Sequence, residues 1–220
     1  LEMDDCAIER SVLLAVDYPF SFNTRRFSKA ASGSSQFVCF GSVHPYQPFM
    51  RATLKRHLKK GIRGLKVHPG AQQVPVSCNR AMKLYRLAAD NNLPMFFHCG
   101  PVGIEPESYR RLSLVDTYGA AVAENPRTTF VLGHSGALEM EKALALQLEY
   151  PNVYLDLTCQ GLDNVAIILD EGDPDRIVNG SDWPFYHEAI SIAKVLMLTV
   201  ERPELRHKVL YQNMADLLAR

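Results

Sequence analysis

The sequence predicts an α/β fold with a parallel sheet, on three observations. Short apolar segments rich in Val, Leu, Ile and Phe recur along all 220 residues, and most lack a polar face. Strands buried on both faces, as in parallel sheets, read that way. Stretches of helical periodicity lie between them, the layout of βα units. The last polar residues of successive strands fall at Asp17, His44, His68, His98, His134, Asp156 and Asp182, spaced by 27, 24, 30, 36, 22 and 26 residues. That regularity suits a (β/α) barrel, whose ~250 residues divide into eight units of roughly 31. Seven βα units are legible, so the first strand of an eight-stranded barrel is expected to be missing or degenerate. The alternative is a doubly wound open sheet, although no GxGxxG turn supports a dinucleotide-binding version of it. No linker, low-complexity tract or charge block divides the chain, which predicts a single domain over residues 1–220.

The strand candidates, in order, are "SVLLAVDYP" (11–19), "FVCFGSVHP" (37–45), "GLKVHPG" (64–70), "PMFFHCG" (94–100), "TFVLGHSG" (129–136), "NVYLDLT" (152–158) and "RIVNGSDWP" (176–184). Among the helices, "RATLKRHLKKG" at 51–61 spaces Leu54, Leu58 and Ile62 along one side and turns its cations to solvent. "NRAMKLYRLAADNN" places Met82, Tyr85 and Ala89 on one face, and "ALEMEKALALQLEYP" sets Leu138, Ala143, Leu144 and Leu146 among charges. "RPELRHKVLYQNMADLLAR" opens with Pro203, where a missing N–H costs little, and repeats apolar residues at Leu205, Val209, Leu210, Met214 and Leu217.

Composition narrows the function classes. Lys and Arg total 24 against 24 Asp and Glu, so no net field attracts nucleic acid or an anionic membrane. No apolar run approaches the roughly 18 residues of a membrane span. The five cysteines are scattered and form no CxxC pair. They read as reduced thiols of a cytoplasmic protein. The chain opens on Leu1 rather than Met, in an acidic segment without signal-peptide layout, and is expected to begin inside a longer product.

In a barrel the reactive groups sit at the C-terminal ends of the strands, where all the polar residues above fall. Strand alternation gives Lys66 and His68 one parity, pairs Phe96 with His98 and Leu132 with His134, and pairs Gly180 with Asp182. With those faces inward, His68, His98, His134 and Asp182 converge on one cup, Lys66 lies a layer lower, and Gly180 leaves space beneath the carboxylate. Imidazole and carboxylate are the usual donors to a catalytic zinc, which lowers the pKa of its water toward ~7. A histidine outside the ligand set can move protons. A metal-free His–Asp acid–base site is the other reading. His44 and His68, both in "VHP", either cap strand ends or meet substrate. Lys66 either reaches a carboxylate at the barrel base or binds substrate, and Asp156 is expected to hydrogen-bond a loop. Cys99 has the parity opposite to His98 and should pack beneath a helix. His57, His187 and His207 are expected to be exposed.

"GLKVHPG", "MFFHCG", "TFVLGHSG", "VYLDLT" and "IVNGSDWPF", in that order, resemble the amidohydrolase-related family of metal-dependent TIM barrels. That family includes uncharacterised hydrolases and non-oxidative decarboxylases of carboxymuconate-semialdehyde or resorcylate-type acids. "MDDCAIERSVLLAV" resembles its helix leading into the second strand, and "LYQNMADLLAR" its terminal helix, so the resemblance covers nearly the whole chain. It implies that His98 binds the metal, that His134 transfers protons, and that Asp182 both touches the metal and orients or deprotonates water. The ion would be divalent, zinc by its donors. His44, Lys66, His68 and Trp183 would line the cup for a small-molecule substrate. The family's first strand carries a D-x-H-x-H motif with further ligands, and no H-x-H occurs here. The expectation is therefore a metal-dependent hydrolase, with a decarboxylase or a metal-poor binding barrel as alternatives. A seam left by the absent strand would expose strand edges, which a homodimer would cover.

Overall fold

The computed structural model describes residues 2–18 and 21–219. Pro19 and Arg220, at the ends of the first strand candidate and the last helix candidate, lie outside the described residues. Every predicted strand forms, shorter than its apolar stretch: β1 (Ser11–Leu14), β2 (Phe37–Gly41), β3 (Gly64–Val67), β4 (Met95–His98), β5 (Phe130–Gly133), β6 (Val153–Asp156) and β7 (Ile177–Val178). Each pairs in parallel with the next, giving one sheet in the order β1 to β7. A doubly wound sheet would reverse its strand order at a switch point. Unbroken succession is the winding of a TIM barrel, here with seven strands among the described residues.

Register sorts the side chains into two cores. Lys66 lies opposite Phe96, Phe96 opposite Val131 and Val131 opposite Tyr154, all on the inner face. Phe96, Val131 and Tyr154 join Phe40, Val178 and Leu217 in a small inner cluster. The opposite parity, including Leu65, Phe97, Phe130, Leu132 and Leu155, belongs to the larger core shared with the helices.

The helices are α1 (Glu2–Asp5), α2 (Asn23–Ser32), α3 (Met50–Leu58), α4 (Pro69–Gln72), α5 (Asn79–Ala89), α6 (Glu107–Ser113), α7 (Gly119–Ala123), α8 (Met140–Glu149), α9 (Leu162–Glu171), α10 (Ala189–Leu198), α11 (Pro203–His207) and α12 (Asn213–Ala219), with a π-turn, Lys208–Gln212, between the last two. α5 buries Met82 and Tyr85 as its spacing predicts. Two expectations fail. Leu138 precedes α8 and is exposed. His57 on α3 is buried, with neither ring nitrogen hydrogen-bonded, because α3 turns it inward together with Thr53 and Leu54. His187 and His207 are exposed as expected.

Among the described residues β1 and β7 are the two ends of the sheet. The C-terminal helix approaches the inner face there. Met214, Leu217 and Leu218 of α12 share the inner cluster with Val12, Leu14 and Val38. Asn213 donates to the carbonyl of Ile177, which ties α12 to β7. No helix among the described residues is long and apolar enough to cross a membrane.

Candidate active site

Of the predicted site residues only Lys66 and His98 stand on strands. His68 follows β3 and caps α4, its Nδ1 accepting the Ala71 N–H at 3.2 Å. His134 follows β5, and Asp182 lies four residues beyond β7. Strand parity therefore did not place these three. Turns did: His134 and Asp182 have φ of 60° and 59°, the left-handed region that non-glycine residues rarely occupy. The space expected beneath Asp182 is used otherwise. A Cβ on Gly180 would fall 2.6 Å from Asp156 Oδ1 and 2.5 Å from Thr158 Oγ1, so this glycine makes room for Asp156.

The residues nonetheless converge. The rings of His68 and His98 stack with centroids 4.0 Å apart, and His98 meets His134 edge-on at 4.9 Å. His98 Nδ1 lies 3.2 Å from His134 Nε2, so the two rings share a hydrogen. Each is fixed from behind. Tyr118 Oη donates to the His98 carbonyl at 2.8 Å, and Asp156 accepts the His134 backbone N–H at 3.0 Å. Asp156 is fully buried and also takes the Thr158 hydroxyl, the loop-holding role expected of it. Burial raises its pKa to about 6.

Lys66 lies in the layer below, buried, with Nζ 4.6 Å from the centre of the Phe96 ring. Burial pushes its pKa down to about 8, and the carboxylates of Asp156 and Asp182 oppose the shift. The imidazoles respond to the same burial and to that cation. His68 falls to about 3 and His134 to about 4, in both cases first through burial and then through Lys66. His98 falls to about 2 through burial and then through His68 and Lys66. All three rings are therefore neutral at pH 7, with nitrogen lone pairs available to a metal or a proton. A backbone hydrogen bond between the His134 ring and Thr158 partly opposes the fall of its pKa.

One neighbour of the cup escaped the sequence reading. Cys159 sits just past β6 with φ of 64°, and its Sγ lies 3.6 Å from Asp182 Oδ2. Donor atoms of His134, Cys159 and Asp182 all lie within 4.8 Å of one another. Burial and the Asp182 charge push the thiol pKa up to about 12, and burial raises that of Asp182. The sequence signalled Cys159 only as the thiol directly after "LDLT", because its position depends on a left-handed turn.

The rim residues divide. His44 uses both nitrogens on backbone: Nδ1 accepts from Tyr46 N–H, and Nε2 donates to the Gln72 carbonyl at 3.0 Å. Trp183 is exposed and its indole N–H donates to Glu2 at 2.6 Å, which fastens α1 to the loop after β7. Cys99 is buried in the outer core, as its parity predicts. All five cysteines are unpaired.

Three solved structures share this architecture. An uncharacterised TIM-barrel protein of Bordetella bronchiseptica superposes with a TM-score of 0.84 at 20% identity, over 99% of this chain and 80% of that one. A probable 2-pyrone-4,6-dicarboxylic acid hydrolase of Acinetobacter baumannii gives 0.73 at 16% identity, over 100% and 86% of the two chains. A dihydroxybenzoic acid decarboxylase of Polaromonas sp. JS666, with bound manganese and 2-nitroresorcinol, gives 0.75 at 16% identity, over 99% and 83%. At these identities the likeness is one of fold. None of the curated proteins compared with the chain matches it. The amidohydrolase family model matches residues 25–220, from α2 through every reactive group described above. With most of its length inside that match, the chain belongs to the amidohydrolase family.

Proposed function

We propose that the chain is a metal-dependent hydrolase of a small organic molecule, working at the cup formed by His98, His134, Asp182 and Lys66. The observation that carries this reading is the convergence of the His68, His98 and His134 rings on one cup, with a His134 nitrogen within 4.8 Å of the Asp182 carboxylate. Imidazole nitrogens beside a carboxylate are the usual donors to a catalytic divalent ion. Asp182 would hold the ion together with His98, the ring hydrogen-bonded to His134. When bound, a divalent ion supplies Lewis acidity and water of lowered pKa.

The chain's own residues would do the rest. His134, kept neutral at pH 7 by burial and by Lys66, would accept a proton from water and return it to the leaving group. Asp156 holds His134 in place through its backbone N–H. Lys66, a cation beneath the rings, attracts an anionic substrate group, while His68 stacked on His98 and exposed Trp183 line the cup. Five unpaired thiols suit the cytoplasm. A second copy over the half-exposed β1 edge is the proposed homodimer.

Decarboxylation is the second reading, favoured by Lys66, whose buried ammonium suits a substrate carboxylate. Structural relatives include a dihydroxybenzoic acid decarboxylase as well as a probable hydrolase.

Elemental analysis of the purified chain beside a His98→Ala/Asp182→Ala double variant tests the proposal, with light scattering on the same sample for the dimer. About one equivalent of metal, lost in the variant, is expected. Amides, lactones and aromatic acids then separate hydrolysis from release of carbon dioxide. A chain that binds no metal after reconstitution overturns the metal-dependent reading.

A further inference from the structure

We infer that His68 is the fixed hydrogen-bond donor of the cup, its Nε2–H offered to an acceptor oxygen of an anionic substrate. The inference rests on the cup proposed above as the reaction site and assigns one contact within it. His68 is the N-cap of α4, and its Nδ1 accepts the Ala71 N–H at 3.2 Å. Accepting uses the lone pair of Nδ1, so the hydrogen of the neutral ring sits on Nε2. The residue's own carbonyl also approaches the ring. An N–H pointing at Nδ1 excludes a second hydrogen there, which decides between the tautomers. Of the three imidazoles, His68 alone has its lone pair committed to the backbone in this way.

The cap is itself held in place. Gln72 Oε1 accepts the His68 backbone N–H at 3.0 Å, and the Gln72 backbone N–H donates to the His68 carbonyl at 2.8 Å. Gln72 is 3% exposed, and its Nε2 donates to Ser42 Oγ at 3.0 Å and to the Asp17 carbonyl at 3.1 Å. One amide thus ties together the chain after β1, β2 and β3. Stacking on His98 fixes the plane of the His68 ring.

His44, in the same "VHP" setting, is the contrast. Its Nδ1 also accepts a backbone N–H, from Tyr46, but its Nε2–H is taken by the Gln72 carbonyl. No described residue takes the His68 Nε2–H, and the half-buried ring keeps that nitrogen in reach of solvent. Lys66, two residues earlier on the same face, is near enough for its charge to act on the ring. A cation with an N–H above it matches a carboxylate, whose oxygens accept in more than one direction. An amine or amide N–H in that place would meet two donors and be rejected.

Nitrogen-15 NMR of the histidine-labelled chain, as purified, reads the tautomer, with His68→Gln identifying the signals. At pH 7 His68 should show a hydrogen-free Nδ1 and a protonated Nε2. Benzoate is the acceptor probe, and its addition should move the His68 Nε2–H proton downfield. Both readings come from the unaltered chain. His68→Met should bind benzoate about tenfold more weakly, and His68→Gln, which keeps an N–H near that position, should restore most of the affinity. Hydrogen found on Nδ1 overturns the assignment. So does benzoate that leaves the Nε2–H signal unmoved or fails to bind. None of these readouts depends on a metal, so a chain that takes up no ion overturns the metal-dependent reading and leaves the donor standing on the tautomer and the benzoate shift.

Discussion

Lys66 shows what one residue costs and what it supplies. An ammonium in the layer beneath three imidazoles loses its hydration and regains only part of it from Asp156 and Asp182, which is why its pKa falls from 10.5 to about 8. Its folded-state pKa lies below its unfolded value, so the unfolded chain binds its proton more tightly. The penalty is then present in full below pH 8 and is relieved as pH rises from 8 to 10.5. Lys66→Met keeps the volume and removes the charge. At pH 7 the variant should be more stable by roughly 1–3 kcal/mol in urea denaturation, and the difference should shrink toward pH 10.5. It should also lose affinity for anionic substrates. A variant less stable than the parent at pH 7 would mean that Lys66 holds the inner layer together through its carboxylate partners.

Residue identities were more legible than residue positions. His68, His98, His134, Lys66 and Asp182 stand out in the sequence because imidazole, ammonium and carboxylate at the ends of buried strands demand a reason. The alternation that seemed to place them holds for Lys66 and His98, which are on strands. His134, Cys159 and Asp182 reach the cup through left-handed turns, and no periodicity encodes those. Cys159 was missed on that account.

At the scale of elements, the connections after β4 and β5 are where backbone geometry is tightest. Gly100 has φ of +82°, and a Cβ there would sit 1.8 Å from the Gly136 carbonyl oxygen. The two loops that follow His98 and His134 thus touch backbone to backbone. Gly61 has nearly the same φ, +80°, with nothing within 4 Å of its would-be Cβ. The pair separates conformational strain from collision. Gly61→Ala should cost only the left-handed term, about 1–2 kcal/mol. Gly100→Ala adds the collision and should cost about 3–5 kcal/mol, read from shifts in urea midpoint. Equal losses for the two would refute the loop contact. The strands themselves were legible because their apolar runs are long. Their ends were not, and β7 keeps only Ile177 and Val178 of a nine-residue candidate stretch. α2 was left unread because it is mostly polar, and α10 because it is apolar almost all round and shows no single face.

For the whole molecule, the parallel order was legible from the spacing of the strand ends, and the inner core was only half legible. Met214 and Leu217 read from sequence as one face of a terminal helix, which says nothing about the surface they cover. The structure places them, with Leu218, against β1 and β2 residues on the inner face. Leu217 is 1% exposed there, and Leu217→Ala should cost about 2–5 kcal/mol, while Leu148→Ala, at a position 56% exposed, should cost little. Comparable losses at the two sites would place α12 outside the core.

That location of α12 has a kinetic consequence. The outer core is made from neighbouring strands and helices, so its contacts close over short loops and can form early. The inner cluster joins Leu217 to Val12, Leu14 and Phe40, partners from opposite ends of the chain. Such contacts require the costliest loop closure and form slowly. During refolding the chain should therefore pass through a species with its helical layer assembled and its barrel interior still open to water, and that interval is when it is most prone to aggregate.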